Sequence, residues 1–162
     1  MLNGKSSASR LVLAAALFSV LLLGQPALPA VKNLALVTSA GSKLQDVALA
    51  ELTKMCKGTQ KVWSDGHSFT LIMKDPTSPD MHAAATKLFG GTPGDVKAAV
   101  AKLNESRAVV KVVESDQELL QTVEAIPGAV GLVDVYSINS SIKVLRVDGK
   151  LPFDVGYPLK GN

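Results

Sequence analysis

Leu71-Ile72-Met73-Lys74-Asp75-Pro76-Thr77-Ser78-Pro79-Asp80-Met81-His82-Ala83-Ala84-Ala85-Thr86-Lys87-Leu88-Phe89 runs from an apolar strand through a polar turn into a helix. Ser followed by Pro is a strong helix start, because the hydroxyl caps free N–H groups while Pro at the first helical position has no N–H to leave unpaired. The spacing predicts a helix from Pro79 to Phe89 with Ser78 as its cap. A strand that leaves through a short hydroxyl-rich turn into a helix N-terminus offers backbone donors and a positive dipole end to an anion. Lys74, at the end of the strand, adds a full charge.

On either side of this joint the alternation of strand and helix repeats. Leu34 to Ser39 is a buried apolar strand closed by Ala40-Gly41-Ser42. From Asp46 to Lys57 the residues Val47, Ala48, Leu52, Met55 and Cys56 keep helical spacing, and Gly58 is the stop. A Ser64-Asp65-Gly66 turn leads into a strand from Phe69 to Lys74. Trp63, the single Trp, reads as a plug at the end of the core, and His67 beside it as surface. Thr92-Pro93 repeats the Ser-Pro punctuation and opens a helix to Leu103. Val109 to Val113 is a β-branched strand. Ser115 and Glu118 have capping-box spacing before a helix through Leu119, Leu120, Val123 and Ile126, which Pro127-Gly128 ends. Ala129 to Val133 is continuously apolar, as in a strand covered on both faces. Ile142 to Val147 is a last strand, and Asp148-Gly149 has the residues of a tight hairpin turn. This order argues an α/β domain with a mostly parallel, doubly wound sheet.

The first thirty residues read as a processing segment: Lys5 and Arg10 precede an apolar run from Leu11 to Leu23, then helix breakers and small residues to Ala30. The expected division is a signal peptide over residues 1–30, cleaved after Ala30, and an α/β domain over 31–162, placing the product in the periplasm or outside the cell. No later run reaches the ~20 apolar residues of a membrane span. Two of the seventeen basic residues and none of the fourteen acids lie in the leader, which leaves a net charge of +1. Aromatic residues are 4 %, too few for stacking platforms, and the lysines are scattered, so no nucleic-acid partner is expected. The lone Cys56 rules out a disulfide within the chain and, sharing a helical face with Leu52 and Met55, reads as a small buried hydrophobe. His67 and His82 have no ligand-spaced neighbours, so neither a metal nor another cofactor is expected. Asp75 and Asp80 flank Pro76 and a helix start, so catalysis is not expected either.

Five stretches occur in an order that resembles the second lobe of the periplasmic phosphate-binding proteins of ABC importers: Leu52 to Gly58, Trp63-Ser64-Asp65-Gly66, Pro127-Gly128-Ala129-Val130-Gly131, Val144 to Pro152, and Tyr157-Pro158-Leu159. The resemblance implies a non-catalytic, solute-binding-like single lobe, one half of a two-lobe clamp. It implies a ligand, phosphate or another small oxyanion, held by Lys74, Thr77 and Ser78. In the family the corresponding segment is Arg, three residues, then Ser-Gly-Thr. Here Lys74 stands for the Arg, Ser78 is kept, and Pro79 and Asp80 replace Gly and Thr. At about 4 Å from an anion the Asp80 carboxylate would cost roughly 1–4 kcal/mol. The alternative reading is a ligand-free interaction or assembly module of the cell envelope, with an envelope protein or a second copy as partner. The polar run Asp134 to Ser141 follows a strand end, where doubly wound sheets place ligands.

Overall fold

The computed structural model describes residues 32–161; the leader assigned to residues 1–30 lies outside them. Seven strands and four helices follow in the order β1 (Leu34–Ser39), β2 (Asp46–Val47), α1 (Leu49–Cys56), β3 (Thr70–Met73), α2 (His82–Phe89), α3 (Pro93–Leu103), β4 (Val110–Val112), α4 (Asp116–Ala125), β5 (Ala129–Asp134), β6 (Ile142–Val144) and β7 (Arg146–Val147). The main sheet has the order β4-β3-β5-β1-β6. β3 pairs parallel with β4 and β5, while β1 pairs antiparallel with both β5 and β6, so four strands point one way and β1 alone runs against them.

Strand periodicity divides the core between the two faces. Leu34 and Leu36 of β1, Leu71 and Met73 of β3, and Val130 and Leu132 of β5 meet Leu52, Met55, Leu88 and Val96 from α1, α2 and α3. Ala35, Val37, Ile72, Ala129 and Val133 face the other way, onto Leu119, Leu120 and Val123 of α4. Gly131 is required where α4 crosses β5: a Cβ there would lie 2.7 Å from a Leu119 methyl and 2.8 Å from one of Val123. Cys56 is buried, as its helical face predicts. Trp63 is 2 % exposed, packs edge-on against Phe69 with ring centroids 5.5 Å apart, and donates its indole N–H to the Gly128 carbonyl at 2.8 Å.

Three local expectations are corrected. The helix predicted from Asp46 begins at Leu49, because Asp46 and Val47 pair in parallel with Arg146 and Val147 as a separate two-stranded sheet. α1 receives its cap from far along the chain: the Leu49 N–H donates to Asp148 Oδ1 at 2.9 Å. The strand predicted over Ile142–Val147 therefore divides into β6 and β7. At the turn that follows, Asp148 and Gly149 both have positive φ, 51° and 75°, as a primed two-residue turn requires. Finally, α2 begins at His82 rather than Pro79, and its N-cap residue, Met81, makes no side-chain cap bond. Thr92-Pro93 does cap α3, because Asp95 stands three residues after Thr92 and returns a bond to the Thr92 N–H. Met81 stands at that position after Ser78 and has nothing to return.

The Tyr-Pro-Leu stretch closes the fold. Tyr157 and Leu159 are buried, and the Tyr157 hydroxyl accepts the Leu36 N–H of β1 at 3.1 Å. Burial pushes the Tyr157 phenol up to about 12, against the opposing effect of that N–H, so it stays neutral at physiological pH. Tyr157→Phe keeps the ring but strands a buried donor, and is expected to cost about 1–3 kcal/mol. Urea denaturation followed by circular dichroism measures it; a midpoint equal to wild type would mean that Leu36 finds another acceptor.

Candidate functional site

The C-terminal ends of β3 and β5, the N-terminus of α4 and the start of β1 come together at one edge of the sheet. Lys74 follows β3, Asp116 opens α4, Asp134 ends β5, and antiparallel pairing sets Leu34 opposite Asp134, which brings Lys32 to the same edge. The charges there are already paired. Lys74 Nζ lies 2.7 Å from Asp116 Oδ1, and the Ser137 hydroxyl donates to Asp116 Oδ2 at 2.6 Å. Lys32 Nζ lies 3.3 Å from Asp134 Oδ2 and 3.8 Å from Asp80 Oδ2.

The turn after Lys74 is held by a further carboxylate. Asp75 Oδ1 accepts the Thr77 N–H at 2.9 Å and the Thr77 hydroxyl at 2.8 Å, an Asx-type turn that bends the chain before it can enter a helix. The Ser78 N–H donates to the Asp75 carbonyl, and the Ser78 carbonyl accepts from Met81 and His82. The donors on Thr77 and the charge on Lys74, which the family resemblance would turn toward a bound anion, are thus occupied by the protein's own Asp75 and Asp116. Among the described residues the edge gathers four carboxylates, Asp75, Asp80, Asp116 and Asp134, against the ammonium groups of Lys32 and Lys74, with that of Lys97 close enough to act on Asp75.

These contacts set the protonation states. The Thr77 N–H and hydroxyl hold the Asp75 carboxyl below the ordinary carboxylate range. For Asp116 the largest influence is partial burial, which raises its pKa, but the Lys74 ammonium and the Ser137 hydroxyl, with the charge of Lys32, outweigh it and hold Asp116 low. Both are ionised at neutral pH. A carboxylate whose pKa is depressed on folding contributes stability above its unfolded pKa, which is lost as the pH falls through the folded one. The contacts of Asp75 with Thr77 and of Asp116 with Lys74 therefore persist at neutral pH and are lost in acid.

Sequence reasoning located Lys74, Thr77, Ser78 and the polar run through Asp134 and Ser137, but missed Lys32 and Asp116 as members of the site. Asp116 was hidden within its cap: Ser115 accepts the Glu118 N–H, while the Glu118 carboxylate returns a bond to Glu114, leaving Asp116 free to face Lys74. An acid at the first position of a helix that follows a parallel strand is the signal that could have found it. A shallow cleft of about 440 Å³ beside it is lined by Asp116, Gln117, Leu120, Gln121, Ser137 and Asn139, with no basic side chain in the lining. Tyr136 and Phe153 stand exposed nearby, 83 % and 64 %, with ring centroids 6.5 Å apart.

No family model and no curated protein matches the chain. Solved structures do. PstS from Borrelia burgdorferi superposes with a TM-score of 0.61 at 19 % identity, over 82 % of this chain and 55 % of its own. The phosphate-binding protein from Stenotrophomonas maltophilia gives 0.59 at 14 %, over 81 % and 52 %. A substrate-binding protein of a phosphate ABC transporter from Clostridium perfringens, solved with bound phosphate, gives 0.55 at 12 %, over 81 % and 53 %. The fold is that of one lobe of a phosphate-binding protein. The chain spans about half the length of these structures, and at such identities the likeness carries the fold alone. No helix among the described residues is long and apolar enough to cross a membrane.

Proposed function

We propose that the chain acts, once exported to the periplasm or beyond, as a non-catalytic lobe of solute-binding type whose strand-end edge engages a protein surface. In this reading phosphate is held weakly, through Lys74, Thr77 and Ser78, and only after internal carboxylates have been displaced. The observation that carries it is the occupation of the Lys74 and Thr77 donors by Asp116 and Asp75. Good hydrogen bonds to a charged ligand contribute roughly 1.5–3 kcal/mol each. Here phosphate would first have to break bonds of that same kind, in a field where carboxylates outnumber cations. The exposed Tyr136 and Phe153 give the edge the apolar, aromatic character of a contact surface. A protein partner, a second copy of the chain included, would meet these rings and the paired charges together.

Calorimetric titration of the mature protein, its N-terminus located near Val31 by mass spectrometry, tests both parts of the reading. Phosphate is expected to give no saturable heat at micromolar concentrations. Light scattering over a concentration series is expected to show association that Tyr136→Ser with Phe153→Ser abolishes. Saturable micromolar phosphate binding, or association indifferent to the two rings, would overturn the reading.

A further inference from the structure

At the opposite end of the sheet, where the chain enters β3 and β4, a cleft of about 510 Å³ lies between the C-terminal ends of α1 and α3. Its floor is apolar, formed with Phe89 and Leu103, and its rim carries Lys57, Lys61, Lys102 and Arg107. No carboxylate lines it, and among the described residues none of the four cations has an ion-pair partner. Gln60, which also lines the cleft, donates to the Glu51 carboxylate. Arg107 is held in place by donating to the carbonyls of Lys61 at 3.2 Å and Phe69 at 3.0 Å. Leu103 leans over Gly58, where a Cβ would come within 3.0 Å of its methyl.

Cations at helix C-termini ordinarily offset the helix dipole, which accounts for Lys57 and Lys102. It does not account for Lys61 and Arg107, which lie outside the helices. Two helix ends supply about −0.5 charge each against four full positive charges, so the rim keeps a net charge of roughly +3. Concave sites of about 300–1,000 Å³ with apolar walls and a few fixed polar groups are the ordinary form of small-molecule sites. A cleft that joins an apolar floor to an unpaired cationic rim is complementary to a molecule with an apolar body and an anionic head.

We propose that this cleft binds an amphipathic carboxylate, an apolar chain or ring ending in one carboxylate. Its apolar body lies over Phe89 and Leu103, and its head is met by Lys61, Lys102 and Arg107. Because the cleft and the strand-end edge lie at opposite ends of the sheet, this inference stands or falls separately from the proposed function.

Calorimetric titration of the purified protein with decanoate, below its micellar concentration, tests it. Saturable one-to-one binding is expected. Lys61→Glu with Lys102→Glu, both exposed side chains, is expected to weaken it about tenfold or more. Ala99→Phe keeps every charge but fills the cleft, and is expected to abolish binding, with circular dichroism confirming the fold. Uncharged decanol is expected to bind at least about tenfold more weakly than decanoate, a comparison that needs no variant. No saturable decanoate binding, decanol as tight as decanoate, or unchanged affinity in the folded variants would each overturn the proposal.

Discussion

Asp116→Ala combined with Asp75→Ala is expected to raise phosphate affinity about 10- to 100-fold at neutral pH. The first substitution frees the Lys74 ammonium and the second frees the N–H and hydroxyl of Thr77. One recovered bond to a charged ligand is worth roughly 1.5–3 kcal/mol, and each 1.4 kcal/mol is tenfold in affinity. Against this gain the variant gives up the Ser137 bond and the ion pair at α4, whose partners are about a quarter exposed, at a cost near 1 kcal/mol in stability. Acid works in the same direction as mutation. Below the lowered pKa values of Asp75 and Asp116 the carboxyls protonate and release the same donors, while phosphate remains an anion until the medium is strongly acidic. Calorimetry on wild type and double variant checks the prediction. A folded double variant with wild-type affinity would show that the remaining carboxylates, Asp80 and Asp134, or the turn itself prevent binding, and that the internal anions do not limit it.

Trp63→Ala is expected to be the most destabilising of the substitutions considered, by about 3–5 kcal/mol, the range for deleting a buried aromatic ring. The residue joins two stretches that carry the family resemblance: its backbone makes the Trp63–Gly66 turn, and its indole bonds to Gly128 between α4 and β5. Its removal leaves a cavity against Phe69 and an unbonded Gly128 carbonyl. Trp63→Phe retains most of the ring and loses only the bond, so about 1–2 kcal/mol is expected. Since Trp63 is the sole Trp, chemical denaturation must be followed by circular dichroism. A cost for Trp63→Ala below that of Trp63→Phe would show that the end of the core can collapse and that the plug is not needed.

The helix starts show where local sequence suffices. Thr92-Pro93-Gly94-Asp95 contains both halves of its cap within four residues, and the structure forms it as the residues dictate. Ser78-Pro79 looks alike but lacks the returning acid, and Asp75, upstream, captures the turn first. α1 could not be placed from its own residues, because its cap, Asp148, arrives through the pairing of β2 with β7.

By itself the sequence determined the α/β class, the covering of the sheet on both faces and the positions of most elements. Apolar periodicity and the backbone demands of Pro and Gly are properties of neighbouring residues and can be read without knowing what lies across the fold. The reversed direction of β1 was left to the tertiary structure, since a strand buried on both faces is apolar whichever way it runs. So was the state of the candidate site. That Lys74 is an available cation follows from its position at a strand end; that it is a neutralised one depends on Asp116, forty-two positions away, and only the packing of α4 against the sheet brings the two within 2.7 Å. Charge complementarity acts through space at a few ångströms, and sequence order carries no direct record of that distance.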